Sequence, residues 1–124
     1  MDILANALSG IKNEIMNNKP TVVVPNTKLV KSVVEVLKKE AMISNFKIVE
    51  DGIEITLKYV NGEAIAKNFK KVSTPGQRIY VSSYEITPVV NGRGIGIIST
   101  SEGVMSTAMA KSRNLGGEYL CKVW

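Results

Sequence analysis

The chain has 124 residues, the length of one ordinary domain or of two very small ones. Its apolar share of 44% and charged share of 22% are those of a globular protein, and 16 Lys/Arg against 11 Asp/Glu leave +5, which favours a polyanionic partner. With no histidine and a single cysteine, Cys121, the chain excludes Ser-His-Asp and Cys-His catalysis, imidazole zinc sites, an internal disulfide framework and a thiolate metal cluster.

No apolar run approaches the roughly 18 residues that span a bilayer. The opening Met1-Asp2-Ile3-Leu4 lacks the basic-then-apolar layout of a secretory signal, so the expectation is a cytoplasmic chain with no membrane partner.

The first element is an amphipathic helix over 2–17, with Asp2 as N-cap and Leu4, Ala7, Leu8, Ile11 and Ile15 at helical spacing. Gly10 inside it costs on the order of 1 kcal/mol relative to Ala, so the helix must lean on packing. Asn17-Asn18-Lys19-Pro20 stops it, and Thr21 to Val24 follows as a short β-branched strand ended by Pro25.

A second helix starts near Asn26 or Thr27 and runs to about Ala41, with Leu29, Val30, Val33, Val34 and Leu37 as its apolar face. Residues 46–49 and 53–60 alternate with period two around Glu50-Asp51-Gly52, a hairpin signal whose acids turn propensity explains in full. The result is an αβαββ unit with two helices on one face of a small sheet.

Beyond Asn61-Gly62 the texture changes. Residues 1–62 hold eight lysines against seven acids, a balance of +1, whereas 63–124 hold five lysines and three arginines against four glutamates, a balance of +4. Seven of the ten glycines also lie in the second half. Residues 64–72 read as a short strand followed by the basic Lys67, Lys70 and Lys71. A turn follows at Thr74-Pro75-Gly76, then strands at 78–81 and 94–99, a short helix beginning between Gly103 and Ser106, and a last strand over 118–124. The expected fold class is α+β: an N-terminal α/β layer over 1–63 and a C-terminal β-rich part with one short helix over 64–124.

The segment with most chemistry is Ser99-Thr100-Ser101-Glu102-Gly103, read as lying between an apolar strand and a helix start. Three short hydroxyl side chains donate and accept hydrogen bonds at low entropic cost, and a helix N-terminus would add unpaired N–H groups. Such groups suit bases, 2′-hydroxyls and phosphates. Lys67, Lys70, Lys71, Arg78, Lys111 and Arg113 are candidates for a backbone-contacting stripe, with Tyr80 or Tyr84 available for stacking. Gly92-Arg93-Gly94-Ile95-Gly96 lacks the G-x-G-x-x-G spacing and precedes a strand rather than following one, so it is read as tight β packing. Cys121 alternates with Tyr119 and Val123 as a small core residue.

Three blocks carry a resemblance to a known family: Ser73-Thr74-Pro75-Gly76-Gln77-Arg78-Ile79-Tyr80-Val81, then residues 90–105 from Val90-Asn91-Gly92 through Ser99-Thr100-Ser101-Glu102-Gly103-Val104-Met105, then Gly116-Gly117-Glu118-Tyr119-Leu120-Cys121-Lys122-Val123-Trp124. In order and spacing they resemble small-subunit ribosomal protein eight of the bacterial or organellar type. Ile11-Lys12-Asn13 and Val24-Pro25-Asn26-Thr27-Lys28-Leu29 agree more loosely.

The resemblance implies a non-enzymatic constituent of the small ribosomal subunit, without cofactor or metal. Its partners would be a central-domain hairpin of small-subunit rRNA and neighbouring small-subunit proteins. In bacteria the family also represses its own operon through an mRNA mimic of that hairpin. By the same resemblance Ser99, Thr100 and Ser101, with Gly116, Gly117 and Glu118, reach the minor-groove side of an irregular RNA core. The full RNA-facing set adds Glu102, Gly103, Arg78, Tyr80, Thr27, Lys28, Lys70 and Lys71.

The chain departs from the family pattern at several points. Ser106-Thr107-Ala108-Met109 lacks the usual acidic residue of a capping box, Ser82 and Ser112 are neutral where basic residues are usual, and Gly10 stands where arginine is common. Pro88 also falls one place later than usual. These changes imply a retained core contact with weaker peripheral electrostatics. Two other classes compete: a free RNA-binding translational regulator outside the ribosome, and a small hydrolase, against which the unpatterned acids argue.

Overall fold

The structure is a computed structural model that describes residues 2–124. Helix α1 spans Ile3–Met16, where the apolar spacing puts it, and the Asp2 carboxylate caps it by accepting the Ala5 N–H at 3.0 Å. Strand β1 is Thr21–Val24. Helix α2, Lys28–Lys39, starts on the Thr27 hydroxyl, which accepts the Val30 N–H at 3.1 Å.

The buried face of α2 differs from the sequence reading at two places: Leu29 is 39% exposed, and Val36 is only 8% exposed. Both lie at the edge of the apolar stripe, at nearly the same angle around the helix. Only the C-terminal end of α2 is covered by the second sheet, so that edge is buried at Val36 and open at Leu29.

Strands β2 (Asn45–Val49) and β3 (Gly52–Thr56) form the expected hairpin, with β3 central in the antiparallel order β1-β3-β2. Gly52 has φ 148°, and a Cβ there would strike the Val24 carbonyl, so glycine is required. The strand expected over 53–60 breaks after Thr56. Tyr59–Val60 (β4) pairs instead with Glu63–Ala64 (β5) around Asn61-Gly62, whose φ values of 54° and 80° make a primed turn. That local hairpin takes up the residues that would otherwise have lengthened β3.

The second sheet has the order β6-β10-β8-β9, from β6 (Phe69–Lys71), β10 (Gly117–Val123), β8 (Ile95–Thr100) and β9 (Gly103–Ser106), with β7 (Tyr80–Val81) also paired to β10. Lys70 and Lys71 therefore lie inside a strand, not after one. Between β6 and β7 the chain turns at Pro75-Gly76, Thr74 pairing with Gln77. Ser73, fully buried, pins that loop by accepting the Ile79 N–H at 2.7 Å.

The helix expected to begin between Gly103 and Ser106 starts at the far end of that range: Gly103–Ser106 is strand, and α3 is Thr107–Ser112 with Ser106 as its cap. Ser106 caps α3 by accepting the Met109 N–H at 3.2 Å, without a capping-box carboxylate. Before β8, the chain passes through Val90 and Asn91 with φ 47° and 53°, a left-handed pair that is costly for a β-branched residue.

One apolar cluster runs from Leu4, Leu8, Val33 and Leu37 through Ile53 and Ile55 to Phe69, Ile97, Leu120 and Val123. A smaller one, Ile86, Ile98, Met105 and Ala110, lies on the other face of the second sheet beneath α3. No described helix is long and apolar enough to cross a membrane.

Candidate nucleic-acid interface

Strand β10 is the element on which the site is built. Its register sets Glu118 opposite Tyr80 of β7 on one side and opposite Ser99 of β8 on the other. Gly117 lies opposite Val81. Thr100 pairs with Gly103, so β8 and β9 are joined by the two-residue turn Ser101-Glu102. Segments 78–80, 99–103 and 116–118, far apart in sequence, thus meet at one end of the sheet.

Glycine makes this convergence possible. A Cβ at Gly117 would run into the Ser99 carbonyl and come within 3.2 Å of the Thr100 Cα; one at Gly116 would meet the Val81 carbonyl at 2.5 Å. The site end is therefore bare, closely spaced backbone edged by short hydroxyl side chains.

Those hydroxyls are not equivalent. Thr100 donates to the Gly103 carbonyl at 2.8 Å and accepts the Glu102 N–H at 3.1 Å, so it builds the turn. Ser101 is exposed, and within the described residues neither its hydroxyl nor that of Ser99 is held by a hydrogen bond. The sequence reading placed this segment at a helix N-terminus. The structure corrects that: it is a hairpin turn, α3 begins only at Thr107, and no helix dipole points at the hydroxyls.

The charges at this end cancel. Arg78 Nη1 lies 3.1 Å from Glu118 Oε2, and Arg113 Nη1 lies 3.7 Å from Glu102 Oε1. Tyr80 is 69% exposed beside Glu118, and Tyr84, in a short turn of 3-10 helix, is 85% exposed. The Glu85 carboxyl is held below its usual range by the Ser82 hydroxyl and backbone N–H.

Several of the candidate stripe residues are engaged within the protein. Lys71 is nearly covered and faces Asp2 at 3.7 Å while its Nζ donates to the Ser73 carbonyl; Lys111 donates to the Ile86 carbonyl at 2.8 Å; Lys67 lies 3.4 Å from Glu63. Lys70 is exposed, next to Lys122 in register. Thr27 and Lys28 start α2, whose opposite end is the one that meets β9, so a helix of roughly 18 Å separates them from the hairpin.

The sequence reading passed over Lys122. A charge within the apolar run Leu120-Cys121-Lys122-Val123 was the available signal, because strand alternation places it on the face opposite its neighbours. Cys121 is buried, and burial pushes its thiol up to about 12, with Lys71 opposing, so it is an inert core residue at neutral pH.

Comparison with known proteins identifies the family. Residues 2–124 match the sequence model of the family described as "Ribosomal protein S8". The chain is 41% identical over 123 residues to the small ribosomal subunit protein uS8 of Oleidesulfovibrio alaskensis, covering 99% of this chain and 98% of that one. Against the protein of the same name from Neisseria meningitidis it is 43% identical over 125 residues, covering 98% and 96%. With that of Clostridioides difficile it shares 39% over 128 residues, covering 99% and 97%. A match to the family over residues 2–124, with relatives this similar across their length, means that the chain belongs to the ribosomal protein S8 family.

Proposed function

We propose that this protein is a structural constituent of the small ribosomal subunit that binds a central-domain hairpin of its rRNA with the β7–β10–β8–β9 end of the second sheet. The reading rests above all on the convergence of Tyr80, Glu118 and Ser99 in one register row beside the Ser101-Glu102 turn. A-form RNA presents 2′-hydroxyls and base edges in a shallow minor groove, and a bare-backbone, hydroxyl-edged surface can approach it closely. Ser99, Ser101 and Glu118 supply hydrogen-bonding groups, Gly116 and Gly117 allow the approach, and Tyr80 offers a ring for stacking.

Binding of this kind aids subunit assembly, brings the chain against neighbouring small-subunit proteins, and places it in the cytoplasm within ribosomes. The same surface serves for repression of its own operon, provided the mRNA folds to present the same minor-groove groups. Chemical footprinting on the cognate small-subunit rRNA tests the reading. Protection should fall on one central-domain hairpin and need about fivefold more protein in Ser101→Ala; uniform protection, or none, would sink it. Co-sedimentation with small subunits at high salt separates a ribosomal constituent from a free regulator, which would be washed off.

A further inference from the structure

If the proposed RNA-reading end is electrically neutral, the grip on phosphate must come from elsewhere. Arg78 is matched by Glu118 and Arg113 by Glu102, so the four charged side chains at that end sum to zero. A protein that engages RNA backbone does so by neutralising phosphates with cations.

The second sheet carries one arrangement of cations that the fold itself does not explain. Lys70 of β6 and Lys122 of β10 are register partners, directly opposite one another on the same face. Like charges in that relation destabilise a sheet, and neither lysine has an ion-pair partner among the described residues. Lys122 is also held in place: its Nζ lies 5.6 Å from the centre of the Tyr119 ring. That ring crosses Gly96, the β8 partner of Lys122, where a Cβ would strike the Tyr119 hydroxyl. Lys122 is thus bracketed by an aromatic wall on one side and a second ammonium on the other.

We propose that Lys70 and Lys122 form a phosphate-gripping pair that takes phosphodiester groups of RNA. The inference rests on the RNA-binding reading above, but concerns a different surface. Ser99 and Gly96 are three residues apart on β8, so the lysine pair lies on the face of the sheet opposite Ser99 and Glu118. The molecule divides its labour: one face and end reads groups, the other holds backbone. The phosphates belong either to the same hairpin, wrapping the sheet edge at β6, or to a second rRNA segment.

The test is a salt series of RNA binding with the intact protein and with Lys70→Gln, Lys122→Gln, the double variant and Lys122→Arg, each checked for a cooperative melt no lower than that of the parent chain. Three RNAs are used: the isolated central-domain hairpin, full-length small-subunit rRNA and an unrelated duplex. The slope of log affinity against log salt should become shallower by about one for each glutamine and about two for the double variant, with Lys122→Arg keeping the original slope. A change on the hairpin alone assigns the phosphates to that RNA; a change only on full-length rRNA assigns them to a second segment. Either supports the pair. An unchanged slope for the double variant on all three RNAs overturns it, as does an equal loss in Lys122→Arg. Absence of any preference for the hairpin over the unrelated duplex would instead defeat the RNA-reading proposal, while the slopes still report on the lysines.

Discussion

From α1 to β3 the protein packs side chain against side chain, whereas from β7 to β10 it brings backbone against backbone. In the first region Val30, Val33, Val34 and Leu37 of α2 fill the space above Ile53 and Ile55, all nearly fully buried. In the second, Gly94, Gly96, Gly116 and Gly117 occupy places where a single added carbon meets a neighbouring carbonyl, tyrosine or tryptophan. Gly52 is the one such position in the first region. The two modes differ in what they tolerate. An apolar core accepts substitutions of similar volume, while a close backbone approach accepts no side chain at all.

Substitutions can break or sharpen this contrast. The largest effect belongs to the side-chain region: Leu37→Ala removes a fully buried side chain and should cost about 3 kcal/mol by urea denaturation, with the hairpin end and its RNA affinity intact at low denaturant. Gly117→Ala should cost about 2 kcal/mol from overpacking and, unlike Leu37→Ala, should abolish RNA affinity because β8 must shift away from β10. Retained affinity in Gly117→Ala would erase the distinction between the two regions.

Within the hairpin, Ser101→Ala should lose about 1 kcal/mol of RNA affinity with no change in melting temperature. Thr100→Ala should lower both, because its hydroxyl also closes the turn. Equal behaviour of the two variants in parallel binding and melting experiments would deny the division of roles.

The smallest effect concerns Glu85. Its carboxyl is stabilised in the charged form, so its contribution is present above its ordinary value of 4.5 and is lost as pH falls through the lower folded value. Acid titration of Glu85→Gln should show a slightly flatter fall in stability below pH 4.5 than the parent chain.

The same contrast explains what could be read from sequence. Helical periodicity fixed α1 to within a residue at each end, and the β2–β3 hairpin followed from Glu50-Asp51-Gly52. Errors there were of extent: β3 stops early because Asn61-Gly62 forms its own hairpin, and the burial of Val36 depends on a sheet contributed by distant residues. In the second region the error was of kind. Ser99 to Gly103 has no apolar period, and short hydroxyl residues serve equally in helix caps and in turns. Only the pairing of Thr100 with Gly103 separates the two, and it delays the helix to Thr107, with Ser106 as its cap. The candidate residues at 78–80, 99–103 and 116–118 were legible as blocks. The family resemblance joined 99–101 to 116–118, but the residues alone did not, since register across β7, β10 and β8 is a tertiary fact; for the same reason Lys71 looked available while its ammonium faces Asp2.

Strand β10 has a further consequence, in time rather than in space. It pairs with β6, a stretch about 50 residues earlier, and sheet closure must meet the loop entropy of that separation before any pairing rewards it. The β2–β3 hairpin, by contrast, closes across two residues. Pairing of β6 with β10 should therefore follow the β2–β3 hairpin in folding. Because Glu118 and Gly117 arrive with β10, the proposed RNA surface should form only once that strand has paired with β7 and β8, whatever the state of the helices.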